Sequence, residues 1–200
     1  MQVVMRYLIV TLLAAFCIFS RRIPTDGPEH SMTVDLKTNT AMNQYRRGLE
    51  HLNGIVGEQD YAKALNWFRK AAEQDLPMAK SQIGSMYAQG LGVEKDDVKA
   101  FDWHRKAAIQ GYGEAQLTLG LLYYHGIGVE ENLFEAARWL QTAAERGHDE
   151  AQFRIGIMYA NGQGVEQNEA KARKWIGFAA SMGHKQAANK LAEMGTPPLY

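Results

Sequence analysis

The chain has 200 residues, 46% of them hydrophobic and 22% charged, with 22 Lys+Arg against 22 Asp+Glu. This composition suits one folded domain or one short array and excludes a disordered, charge-rich chain. From residue 41 onward 18 basic residues stand against 19 acidic ones, so there is no basic field for DNA, RNA or an anionic membrane surface.

In chain order, the first segment is MQVVMRYLIVTLLAAFCIFSRR, residues 1–22. Arg6 precedes thirteen uncharged residues, Tyr7 to Phe19, the charged head and short apolar stretch of a secretory signal peptide. As a helix, that stretch reaches about 20 Å, short of the roughly 30 Å hydrocarbon core. Export to the periplasm is expected. The alternative is an uncleaved signal anchor, because Arg21 and Arg22 follow at once. Beyond Cys17 the chain has no cysteine, so its folded part has neither a disulfide nor a thiolate metal site. Residues 23–42 hold Pro24, Pro28 and many small polar residues and read as a linker.

From residue 43 the chain can be laid over itself every 36 residues without an insertion. Ala79, Ala115, Ala151 and Ala187 fall on this period, as do Gly48, Gly84, Gly120 and Gly156, and all four tryptophans, Trp67, Trp103, Trp139 and Trp175. So do the glycine pairs of YAQGLGV (87–93), YYHGIGV (123–129) and YANGQGV (159–165). A phosphate-binding loop is needed once and follows a strand. Three copies at a fixed period are turns of a repeat.

Each repeat carries two helical patterns. The first, near 78–89, places Ala79, Ile83 and Met86 on one face; the second, near 97–110, does the same with Ala100, Trp103 and Ala107. Asp60, Asp96, Asn132 and Asn168 stand 36 apart just before the second helices and are expected N-caps. Glu135 is expected to complete a capping box with Asn132. Gly111, Gly147 and Gly183 stop these helices. Asp75 takes that place in the first repeat, where a looser end is expected. Val93, Val129 and Val165 are expected to pin the turns to the core. The helical glycines are expected to admit a bulky Trp or Tyr from a neighbouring helix, and the Trp and Tyr combs to be core. Helix pairs that cannot bury their apolar faces alone must stack. The expected fold is therefore all-α: an α/α solenoid of repeats 43–78, 79–114, 115–150 and 151–186, closed by a capping helix and tail over 187–200.

The run AQLTLGLLYYHGIGVEENLFEAARWLQTAAERG, residues 115–147, resembles a Sel1-like repeat, a relative of the tetratricopeptide repeat. Residues 151–183 match as well, 79–111 nearly so, and 43–75 only in the second helix. The resemblance implies a right-handed superhelix and a protein-interaction scaffold. A cysteine-rich branch of that family is linked to β-lactams, but it carries a cysteine pair per repeat that this chain lacks, so that activity is not carried over.

No S-x-x-K, G-x-S-x-G or H-E-x-x-H occurs, so no catalytic or metal residue and no cofactor is assigned. His148 and His184, one period apart, read as exposed turn residues, and His104 as a packed or half-exposed helix residue. Partner-binding residues should lie at matched inward positions that differ between repeats. One column is Arg46, Gln82, Thr118 and Arg154; another is Asn53, Gln89, His125 and Asn161. Arg at two levels would suit an extended or acidic peptide. The expected function is a monomeric, non-enzymatic adaptor of the cell envelope with a protein or peptide partner, no nucleic acid, and membrane contact only through an uncleaved N-terminus. The alternative is a cell-wall fragment (peptidoglycan or β-lactam) binder or hydrolase, with Asp102 and Glu114 as available carboxylates. A third reading is a purely architectural tether.

Overall fold

The computed structural model describes residues 30–195 except residue 56; the expected signal segment and Val56 lie outside the described residues. The chain falls into two units, 1–34 and 35–200, and the second holds all the repeats. The helices are α1 (His30–Leu52), α2 (Tyr61–Glu73), α3 (Pro77–Gln89), α4 (Asp97–Ile109), α5 (Gly113–His125), α6 (Leu133–Glu145), α7 (Asp149–Asn161), α8 (Glu169–Ser181) and α9 (Lys185–Glu193). Among the described residues there is no strand, and no helix is long and apolar enough to cross a membrane.

The helices keep the 36-residue beat. First helices start at 77, 113, 149 and 185, and second helices at 61, 97, 133 and 169. α1 begins at His30, inside the segment read as a linker. From His30 to Arg47 the sequence has neither proline nor glycine, so nothing in it stops a helix.

Side chains of Asp60, Asp96, Asn132 and Asn168 accept the backbone N–H three residues on, at 2.8–3.0 Å. The capping box in the third repeat does not form. The N–H of Asn132 donates instead to the Tyr123 carbonyl at 2.9 Å, and the Glu135 carboxylate pairs with Arg138 at 2.8 Å. Asp60, Asp96 and Asn168 send their N–H groups to His51, Tyr87 and Tyr159 in the same way. Each cap residue therefore ties both helices of its repeat together.

Gly111, Gly147 and Gly183 have φ of 87°, 89° and 91°, and Asp75 adopts 65°. The expected loose end at Asp75 is instead fastened. Its carboxylate accepts from Lys80 Nζ at 2.6 Å and Gln110 Nε2 at 3.3 Å. The hydrogen bond and charge of Lys80 hold that carboxyl below the usual carboxylate range.

Each helix from α2 to α9 packs on the next in sequence. The core is rows of small residues: Ala79, Ala115, Ala151, Ala187, Ala71, Ala107, Ala143 and Ala179 are all fully buried. Ile83, Leu119 and Ile155 fill the space between them. Val93, Val129 and Val165 pack against this core from the turns.

The helical glycines admit other neighbours than expected. A Cβ at Gly48 would overlap Phe68; at Gly84 it would lie 2.8 Å from His104, at Gly120 2.7 Å from Leu140, and at Gly156 2.6 Å from Ile176. These residues sit one position after the tryptophans. One residue is about 100° of helix rotation, so the tryptophans turn out of the seam and are half-buried. Lys70 and Arg47 lie over Trp67 at 4.5 and 4.9 Å, and Lys106 over Trp103 at 4.5 Å. Of the expected tyrosine core, Tyr159 is buried, while Tyr87 and Tyr123 are half-buried.

Candidate functional site

The first helices α1, α3, α5 and α7 carry the expected partner-binding columns. Gln82 and Gln89 of α3 line one pocket of about 220 Å³ together with Asn53, Ser85 and Met86. Arg154 lines a different pocket of about 250 Å³ between α5 and α7, with Leu121, Tyr124, Phe153, Ile157 and Gln163. Arg46 lies in a third, near Arg47 and Trp67. Thr118 Oγ1 donates to the Glu114 carbonyl of its own helix at 2.8 Å. His125 is exposed and packs edge-on to Tyr124, with ring centroids 5.0 Å apart. Asn161 is exposed, and its Nδ2 donates to Gln163 Oε1 at 3.3 Å. The structure thus brings Asn53, Gln82 and Gln89 together but leaves the two arginines in separate pockets.

The two pockets between first helices occupy the same place in the repeat, two periods apart. Leu52, Gln82, Ser85, Met86 and Leu91 of one stand 72 residues before Tyr124, Arg154, Ile157, Met158 and Gln163 of the other. Their chemistry differs. Around the first, the side chains of Asn53, Gln82, Ser85 and Gln89 make no hydrogen bond to other described residues. At the second, polar groups pair with one another: Arg154 Nε donates to Glu150 Oε1 at 2.5 Å, and Gln163 Nε2 to the Tyr124 hydroxyl at 3.0 Å. Burial by itself raises the Glu150 carboxyl, but hydrogen bonds from His184 and Arg154 outweigh it and hold it below the usual range.

The apolar lining of the second pocket falls outside both polar columns. Its signal lies in the repeats themselves. Ser81 becomes Leu117 and then Phe153, and Ser85 becomes Leu121 and then Ile157.

His148 and His184 are half-buried, not the exposed turn residues expected. His148 is half-buried over Gly113, where a Cβ would overlap its ring. His184 Nδ1 accepts the Ala187 N–H at 3.1 Å, so in the neutral ring Nε2 carries the proton and donates to Glu150 at 2.8 Å. The ring stacks on Phe153 with centroids 4.7 Å apart, joining α9 to α7. His104 is buried in the Gly84 notch with Ser81 Oγ 3.4 Å from Nδ1, and burial pushes its pKa down to about 4. Asp102 pairs with Arg105 on its own helix at 3.3 Å, and Glu114 is exposed in the first turn of α5.

Comparison with known proteins places this geometry. The family described as "Sel1 repeat" matches residues 44–76, 77–112, 113–148 and 149–184. The chain is similar to a protective antigen present in uropathogenic Escherichia coli strains that displays an SLR fold. Identity is 33% and TM-score 0.76, over 84% of this chain and 36% of that one. It is also similar to a Sel1 repeat protein from Oxalobacter formigenes, with 34% identity and TM-score 0.73, over 78% of this chain and 63% of that one. The chain therefore spans less than two thirds of either relative. Among curated proteins none matches.

Proposed function

Because the chain belongs to the Sel1 repeat family, whose members are generally non-enzymatic protein-interaction scaffolds, we propose that it is an adaptor of the cell envelope. It holds a protein or peptide segment along the face of its first helices. The observation that carries this reading is the pair of pockets at matched places on that face, one rimmed by unpartnered amides and one walled by apolar side chains. Solenoids of stacked helix pairs use such extended surfaces for binding. The envelope location is supported by the charged and apolar N-terminal segment. In this reading the chain acts as a monomer, and no cofactor is assigned to it.

The test uses the mature chain as bait in envelope extract, with chemical cross-links mapped by mass spectrometry. A partner cross-linked to the first-helix face of α1, α3, α5 or α7 supports the reading. Cross-links confined to the second helices, or turnover of a purified peptidoglycan substrate, would overturn it, the latter in favour of a cell-wall hydrolase. N-terminal sequencing of the exported chain separates a cleaved signal from an anchor.

A further inference from the structure

The adaptor reading says that a polypeptide lies on the first-helix face; the two pockets say what kind, and this inference rests on that reading. The α5–α7 pocket is walled by Leu121, Phe153 and Ile157, and the charged group at its rim, Arg154, is already neutralised by Glu150 at 2.5 Å. That pair uses only the Nε of Arg154 and lies at the rim, so the walls of the pocket itself are apolar. A bulky apolar side chain buries nothing unpaired against them. The α1–α3 pocket sets polar groups among Leu52, Met86 and Leu91, and its Gln59 is already bonded to the Leu52 carbonyl at 2.6 Å. Asn53, Gln82, Ser85 and Gln89 present donors and acceptors with no partner among the described residues. Such groups are matched by a side-chain amide or hydroxyl, and an apolar occupant would leave them unpaired.

Ordinary helix spacing sets the scale of the interval. The pockets are two repeats apart, and packed helices lie about 10 Å from their neighbours, so the interval is about 20 Å. An extended polypeptide advances about 3.3 Å per residue and covers this in about six residues. We propose that the face reads one extended stretch of a partner polypeptide at two points. A Phe, Leu, Ile or Trp side chain seats in the α5–α7 pocket. An Asn, Gln, Ser or Thr side chain, about six residues away, seats in the α1–α3 pocket.

The natural controls are residues the array already tolerates at the same register: Ile157→Ser copies Ser85, and Ser85→Ile copies Ile157. The full chain is titrated by fluorescence anisotropy with labelled twelve-residue peptides carrying one Phe and one Asn at intervals of two to nine residues. Thermal melts followed by circular dichroism check that each variant is folded. The expected result is tightest binding at an interval of five to seven. Ile157→Ser should weaken binding at least tenfold, and Ser85→Ile should switch the preferred second residue from Asn to Leu. Peptides that bind with no preferred interval, or equally well to Ile157→Ser, would overturn two-point reading and leave the adaptor reading intact. Binding by none of the peptides, together with an extract that yields no first-helix cross-link, would remove both. Self-association in sedimentation that Ile157→Ser abolishes would make a second copy of this chain the occupant and overturn the proposal. If a folded Ile157→Ser cannot be obtained, Ser85→Ile alone decides the matter by its residue preference.

Discussion

At position 104 the second repeat puts an imidazole where the others put Phe68, Leu140 and Ile176. No nearby charge is needed to explain its depressed pKa of about 4, since burial alone accounts for it. The folded state favours the neutral ring, while the unfolded chain takes up the proton below about 6.5. The contribution is therefore intact above about 6.5 and is lost as pH falls from there towards 4. A change of that size corresponds to roughly 3 kcal/mol. His104→Leu should flatten the fall in melting temperature between pH 6.5 and 4.5; an unchanged difference between wild type and variant across that range would refute it. A neighbouring comparison tests the turned-out tryptophans. Leu140→Ala should cost about 2–5 kcal/mol, and Trp139→Ala less, because Leu140 is buried and Trp139 is half-buried. Chemical denaturation that ranks them the other way would put Trp139 back in the core.

A pair of helices in this array is closer than side chains ordinarily permit. The first helix offers a glycine, and the second lays a large side chain across it. Glycine to alanine inside a helix normally stabilises by about 1 kcal/mol. At Gly120 the sign should reverse. The new Cβ would stand 2.7 Å from Leu140 Cγ and 3.2 Å from the Leu140 backbone nitrogen, so Gly120→Ala should destabilise by about 1–3 kcal/mol. A melt that rises on Gly120→Ala would show that the pair can spread. Sequence alone makes the helices legible: the period, the caps at Asp60, Asp96, Asn132 and Asn168, and the stops at Gly111, Gly147 and Gly183 are local signals. It does not show which residue meets the glycine. Trp67 and Phe68 are adjacent in sequence, and only the rotation of the packed helix separates a core position from a half-exposed one. Asp75 departs from expectation for a related reason. The bond from Lys80 that fastens it depends on how the next helix docks.

Stability in the whole array is passed from neighbour to neighbour. α9 covers Ile176 and Ala179 with Ala187 and Leu191, and His184 binds it to Glu150 of α7. A chain ending at Gly183 should therefore lose hydrogen-exchange protection in α8 first and in α2 last. Uniform loss across all helices would instead mark one indivisible unit. The site is less legible than the fold. Gln82, Gln89 and Asn53 stand out in the sequence as polar and variable, and they share a pocket. The Leu121, Phe153 and Ile157 wall shows in the sequence only as a change from serine to apolar residues between repeats, and whether such a side chain is covered or left open depends on how the helices pack.

In the three turns with a glycine pair the second glycine fits against the start of the preceding second helix so closely that a Cβ at Gly128 would overlap the Asp97 carbonyl, and one at Gly164 that of Leu133. A joint without slack makes a stiff ruler. On the proposed reading, an occupant would straighten to the ruler's own graduations, and the loss of freedom on association would fall mainly on the guest. Calorimetry of such a complex should then show an unfavourable entropy that shrinks when the guest is cyclised or otherwise held straight beforehand.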